Sequence, residues 1–99
     1  MMNRDLERRQ APRRRVALPV DIWFMSGDRE ETGGAGVTVD LSRVGARIQC
    51  ARYFTVNTRL RLHIHGSKKT VKAQARVVRV VSLRSGAFQL GVAFEKTDS

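Results

Sequence analysis

Cysteine, proline and aromatic residues are scarce in this chain, acidic residues are outnumbered, and long apolar runs are missing. One cysteine, Cys50, among 99 residues rules out an internal disulfide and the stapled folds of small secreted domains, so a reducing compartment is expected. No apolar stretch approaches the roughly 20 residues of a membrane-spanning helix. The N-terminus also lacks the apolar core of a secretory signal, and the expected location is cytoplasmic. With one Trp, one Tyr and four Phe, few rings are available to stack on bases. Only 9 Asp+Glu stand against 19 Lys+Arg, a formal charge of +10, which favours anionic partners such as nucleotides, nucleic acid or an acidic membrane surface. At this length one domain with one modest core fits, and a second does not.

What is present is alternation. Residues 1–15 form a basic leader carrying Arg4, Arg8, Arg9, Arg13, Arg14 and Arg15 against Asp5 and Glu7. It holds too little apolar surface to bury, so it reads as a flexible arm. A folded domain is expected over residues 16–96. From Val16 the apolar period is two: Val16, Leu18, Val20, Ile22 and Phe24 alternate with Ala17, Pro19, Asp21, Trp23 and Met25, the pattern of a half-buried strand. Ser26 to Gly36 is rich in glycine and charge and reads as a loop. Val37, Val39 and Leu41 form the next strand, which places Thr38, Asp40 and Ser42 on the face opposite the core. A turn ending at Gly45 leads to Ala46, Ile48 and Cys50. Leu60, Leu62 and Ile64 follow, and then a turn at Gly66–Lys69. Val71, Ala73, Ala75 and Val77 continue the alternation, but Val78 and Val80 are in the opposite phase; a phase change inside one strand predicts a β-bulge. Ser85-Gly86 is a turn, and Phe88, Leu90, Val92 and Phe94 complete the core.

Six strands joined by tight turns, with no amphipathic helix, predict an antiparallel all-β domain. Closure into a small barrel removes exposed sheet edges, and a two-sheet sandwich is the alternative. A six-stranded barrel is filled by its own side chains, so any ligand must lie outside or at a mouth.

Two motifs carry the chemistry. Arg9 and Arg13 are four residues apart on the arm, separated by Pro12, which stiffens it. Guanidinium forks match phosphate oxygens in pairs and also the O6/N7 edge of guanine. In Asp40-Leu41-Ser42-Arg43-Val44-Gly45, Asp40 and Ser42 are two apart and share a strand face. Asp40 accepts from guanine N1 and N2 or orients an arginine. Ser42 donates to a phosphate, or else both residues bond their own turn. Gly45 is expected to supply a positive φ and close access to the backbone. Arg43, Arg47, Arg59 and Arg61 read as a solvated face, some of them extending the cationic field around the site, Cys50 as core, and Trp23 as a rim-packing residue. His63 and His65 share a face but lack a third ligand, so no metal is expected. Ser42 lies in no nucleophile elbow, and neither catalysis nor a cofactor is expected.

Taken together, Arg9-x-x-x-Arg13, Leu18-Pro19-Val20, Asp40-x-Ser42-x-x-Gly45, Arg76-Val77-Val78-Arg79-Val80 and Leu90-Gly91-Val92-Ala93-Phe94 resemble the PilZ domain family, the cyclic di-GMP receptor domains of bacteria. The resemblance spans nearly the whole chain. It implies a six-stranded β-barrel with little or no C-terminal helix, since the sequence stops at Ser99, and a ligand on the outer surface. Arg9 and Arg13 would contact phosphates and guanine edges. Asp40, Ser42 and Gly45 would cradle one guanine, and Arg8 would tune whether one or two ligand molecules bind. The implied function is a non-enzymatic cyclic di-GMP receptor that orders its arm and signals to a downstream protein effector or through a homodimer, without a membrane role. The alternatives are a small basic barrel binding RNA or single-stranded DNA, and a module serving only protein contacts.

Overall fold

The computed structural model describes residues 12–98. Seven strands run through them: β1 Arg14–Arg15, β2 Pro19–Ser26, β3 Arg29–Leu41, β4 Gly45–Cys50, β5 Arg59–His65, β6 Thr70–Ser82 and β7 Phe88–Asp98. Every pairing is antiparallel. The order is β1-β3-β2-β5-β6-β7-β4, and an additional β3–β4 pairing closes β2–β7 into a six-stranded barrel, with β1 added beside the end of β3. No helix occurs among the described residues.

Alternation selects the core. Val20, Ile22, Ile48, Leu62, Ile64, Val77 and Leu90 are each at most 1% exposed and come from five different strands. Burial of such a side chain is worth roughly 1.5–3 kcal/mol. The barrel is therefore held by contacts between residues far apart in sequence. The expected bulge in β6 is present: the register passes from Val77↔Val92 to Arg79↔Gly91, leaving Val78 unpaired and outward. Val78 is 42% exposed, whereas Val80 returns to pack on the core.

Three expectations need correction. The segment Ser26–Gly36 is a hairpin rather than a loop. Ser26 pairs with Arg29 across a two-residue turn in which Gly27 takes a φ of 64°, as a type II′ turn requires. Its glycines misled because they serve strand contacts: a Cβ on Gly33 would lie 2.9 Å from the Phe54 ring, and one on Gly36 2.7 Å from the Gln49 carbonyl oxygen. The strand expected from Val16 is broken at residues 16–18, and Arg14 and Arg15, assigned to the arm, pair with Leu41 and Asp40. Buried Thr38 holds the break. Its hydroxyl donates to the Val16 carbonyl oxygen and accepts from the Leu18 amide at 2.8 Å.

The third correction concerns facing. Gly36 and Thr38 point inward with Cys50 and Ile48, and Val37 points outward, 37% exposed. Between Thr38 and Asp40 the register slips by one residue. The extra residue, Val39, turns Asp40 outward beside Arg47. Asp40 thus has the facing expected, but a bulge puts it there, not continuous alternation.

Candidate functional site

The bulge at Val39 places Asp40 in a row that runs across five strands on the outer wall. The register reads Arg15↔Asp40↔Arg47↔Gly91↔Arg79 through β1, β3, β4, β7 and β6. Paired residues in antiparallel strands share a face, so these positions all project outward. Asp40 is nevertheless 2% exposed, because two arginines cover it. Arg13 NH1 lies 3.2 Å from Oδ1. Arg47 Nε donates to Oδ2 at 2.5 Å, and its terminal NH2 closes on the same oxygen. Burial alone would raise the Asp40 pKa. The hydrogen bond and charge of Arg47, joined by the charge and hydrogen bond of Arg13, outweigh it and hold the carboxyl below its ordinary value.

Both guanidiniums keep a free side. Arg13 and Arg47 are 48% and 42% exposed, and they border a groove of about 390 Å³ whose walls include Arg79 and Val78. Gly91 lies in this lining between Arg47 and Arg79, where the lack of a side chain keeps the groove open. Two forks face the one carboxylate and Arg79 adds a third cation to the groove lining, a net positive surface suited to phosphate or to the acceptor edge of a purine. The preformed Asp40 contacts fix two of the forks before any ligand arrives, reducing the rotamer entropy lost on binding.

The other motif residues stand as follows. Ser42 bonds its own turn: Oγ donates to the Gly45 carbonyl at 3.3 Å and accepts from the Val44 amide at 3.3 Å. Gly45 lines the groove but does not have the positive φ expected of it; the glycines with positive φ are Gly27, Gly34 and Gly86. Its constraint is steric, since a Cβ there would collide with the Val92 carbonyl oxygen across the β4–β7 ladder. Arg8 and Arg9 lie outside the described residues.

Arg47, Arg79 and Gly91 are not among the site residues expected from sequence, where Arg47 is one of four arginines of a solvated face, some extending the cationic field. The available signal was the hairpin itself: the turn joining β3 to β4 brings Arg47 opposite Asp40. Arg61, also read as solvated, forms a two-pronged ion pair with Glu30 at 2.8 and 2.5 Å. Its guanidinium stands 4.4 Å from the Trp23 ring centre, and the His63 ring adjoins the same indole at 4.6 Å. His63 Nε2 faces Arg61 at 3.0 Å and His65 bridges Asp21 and Thr70. Among the described residues no group of three His, Cys, Asp or Glu is placed to hold a metal. No helix among them is long and apolar enough to cross a membrane.

The structure is a closed, small antiparallel barrel with a cationic groove on its outer wall. The chain belongs to the PilZ domain family, whose model matches residues 7–99. That family consists of cyclic di-GMP receptor domains, and no catalytic family is indicated. The fold is similar to that of the Bacillus subtilis inhibitor of motility (MotI/DgrA), with a TM-score of 0.71 and 18% identity, over 100% of this chain and 46% of that one. The chain therefore spans about half the length of that protein. No curated protein matches it significantly.

Proposed function

We propose that this chain is a cyclic di-GMP receptor whose ligand lies in the outer groove, gripped by Arg8, Arg9 and Arg13 of the arm against the wall formed by Asp40, Ser42 and Gly45. The observation that carries this reading is the buried, outward-facing Asp40 clamped between Arg13 and Arg47. A carboxylate in that position orients cationic forks rather than serving a core. Arg47 and Arg79 are added to the contact set, because the register places them on either side of Gly91.

The binding logic is electrostatic and entropic. The ligand brings two phosphates and two guanines to a chain of net charge +10. Ordering each arm residue costs roughly 1–2 kcal/mol, and each charge-assisted hydrogen bond returns roughly 1.5–3 kcal/mol. Arg14 and Arg15 already pair with β3, so the ordering proposed for the arm adds nothing at those two residues. The ordered arm then offers a downstream protein a surface that the free receptor does not.

Calorimetric titration with cyclic di-GMP tests this. We expect saturable heat at micromolar ligand, and Arg13→Ala or Arg9→Ala should weaken binding at least tenfold with little change in thermal unfolding. A folded protein that gives no heat rejects the reading. Binding of RNA or single-stranded DNA has less support, since Trp23 already engages Arg61 and His63 and a stacking platform needs an accessible ring face.

A further inference from the structure

The chain alternates on its way into the barrel, and this divides its residues between two surfaces. Arg13 reaches Asp40 on the outer wall, while Pro12, Arg14, Val16 and Leu18 line a different cavity of about 640 Å³ at the mouth of the barrel. Leu41, Val71 and Phe94 give the mouth further apolar wall, with Ile64, 1% exposed, among its lining. Leu18, Leu41 and Phe94 are only partly buried where they meet the core.

The rim carries more positive than negative charge. Among the described residues Arg14 and Arg43 line the mouth and no carboxylate does; Lys68 and Lys69 follow Ser67 of its β5–β6 turn, while Asp98 follows Thr97. An apolar floor inside a cationic rim is complementary to an amphipathic helix whose apolar stripe is flanked by Asp or Glu. Such a helix, about 10–12 Å across with side chains, seats its stripe over an open barrel end without needing a backbone edge.

We propose that this mouth is the docking surface for an effector protein, and that the docked element is an amphipathic helix with acidic flanks. The arm couples it to the groove: Arg13 on one surface sits between Pro12 and Arg14 on the other, so a ligand that shifts Arg13 on the wall also shifts its neighbours on the rim. This coupling rests on the receptor reading above, whereas the docking surface does not. Linkage requires the effect to be reciprocal, with a docked helix changing nucleotide affinity by the same factor.

The test uses the full chain labelled with ¹⁵N and a synthetic helical peptide with leucines on one face and glutamates beside them, together with its lysine counterpart. The expected result is amide shifts confined to residues 12–18, 41–43, 64–71 and 94–97 with the glutamate peptide and none with the lysine peptide. Val71→Glu should weaken peptide binding at least tenfold and leave cyclic di-GMP binding unchanged. Arg14→Glu, an exposed change that does not endanger the core, should weaken it at least threefold. Cyclic di-GMP should shift the peptide dissociation constant at least threefold. Absence of glutamate-peptide binding, equal binding of the lysine peptide, or shifts on the outer wall overturns the proposal. So does binding of phosphatidylglycerol vesicles that Val71→Glu abolishes, or a dimer that the same change dissolves, where the peptide does not bind. If the peptide binds as expected and cyclic di-GMP gives no heat, the receptor reading fails and the docking surface stands.

Discussion

Replacing Asp40 by Asn keeps the shape of the side chain and removes the charge that two arginines share. One amide oxygen remains to accept, and the amide nitrogen now opposes a guanidinium donor. Arg47 therefore keeps its 2.5 Å hydrogen bond only if Arg13 faces a donor, or the reverse. A charge-assisted hydrogen bond is worth roughly 1.5–3 kcal/mol. Both arginines are more than a third exposed and recover hydration when released, which discounts that figure. A net loss of about 1–2 kcal/mol follows, or roughly 4–16 °C in Tm for a domain of this size. The pH dependence carries the sharper test. The Asp40 pKa is held below the ordinary aspartate value of 3.8, so its contribution is fully present above that value and is lost as pH falls through the lower, folded-state pKa. Glu30 is lowered as well, through its hydrogen bond with Arg61, and destabilises parent and variant alike in acid; the difference between them isolates Asp40. Thermal unfolding followed by circular dichroism should give a constant difference in Tm from pH 5 to 8, narrowing below about pH 4. Equal Tm values at pH 7, or a gap that stays constant down to pH 2.5, would refute the clamp.

Thr38→Val leaves the Val16 carbonyl and Leu18 amide without their shared partner and should destabilise by about 1–3 kcal/mol, with faster amide exchange at residues 14–18 than elsewhere in the barrel. Gly45→Ala drives a methyl into the Val92 carbonyl; a loss of about 1–3 kcal/mol is expected, read by chemical denaturation, and unchanged stability would mean that β4 and β7 separate freely. The Cys50 thiol is buried and its pKa is raised chiefly by that burial, so a thiol reagent at pH 8 should react only on unfolding; prompt labelling of the native protein contradicts this.

Much of this molecule was legible in its residues because a strand's period of two reports directly which side is buried. That argument gave the all-β class, the barrel, and the bulge at Val78, where two successive valines break the phase. It failed at Val39 because Val37, Val39 and Leu41 keep an unbroken alternation; a bulge whose extra residue is apolar leaves no mark on that pattern. Glycine was misread twice for a related reason. In Gly33, Gly36 and Gly45 the missing Cβ answers to a neighbouring strand or ring, and a linear sequence does not name that neighbour.

The sequence by itself determined the strand-forming alternation, the excess of positive charge, and the order of the two motifs that mark the family, since each depends only on residue type and spacing. Only the tertiary structure decided that Asp40 is clamped by Arg13 and Arg47, that Arg79 and Gly91 join the groove, and that the arm divides its residues between wall and mouth. Those outcomes depend on register between strands up to about 50 residues apart. Register is fixed by how the whole sheet closes on its core, not by any local preference.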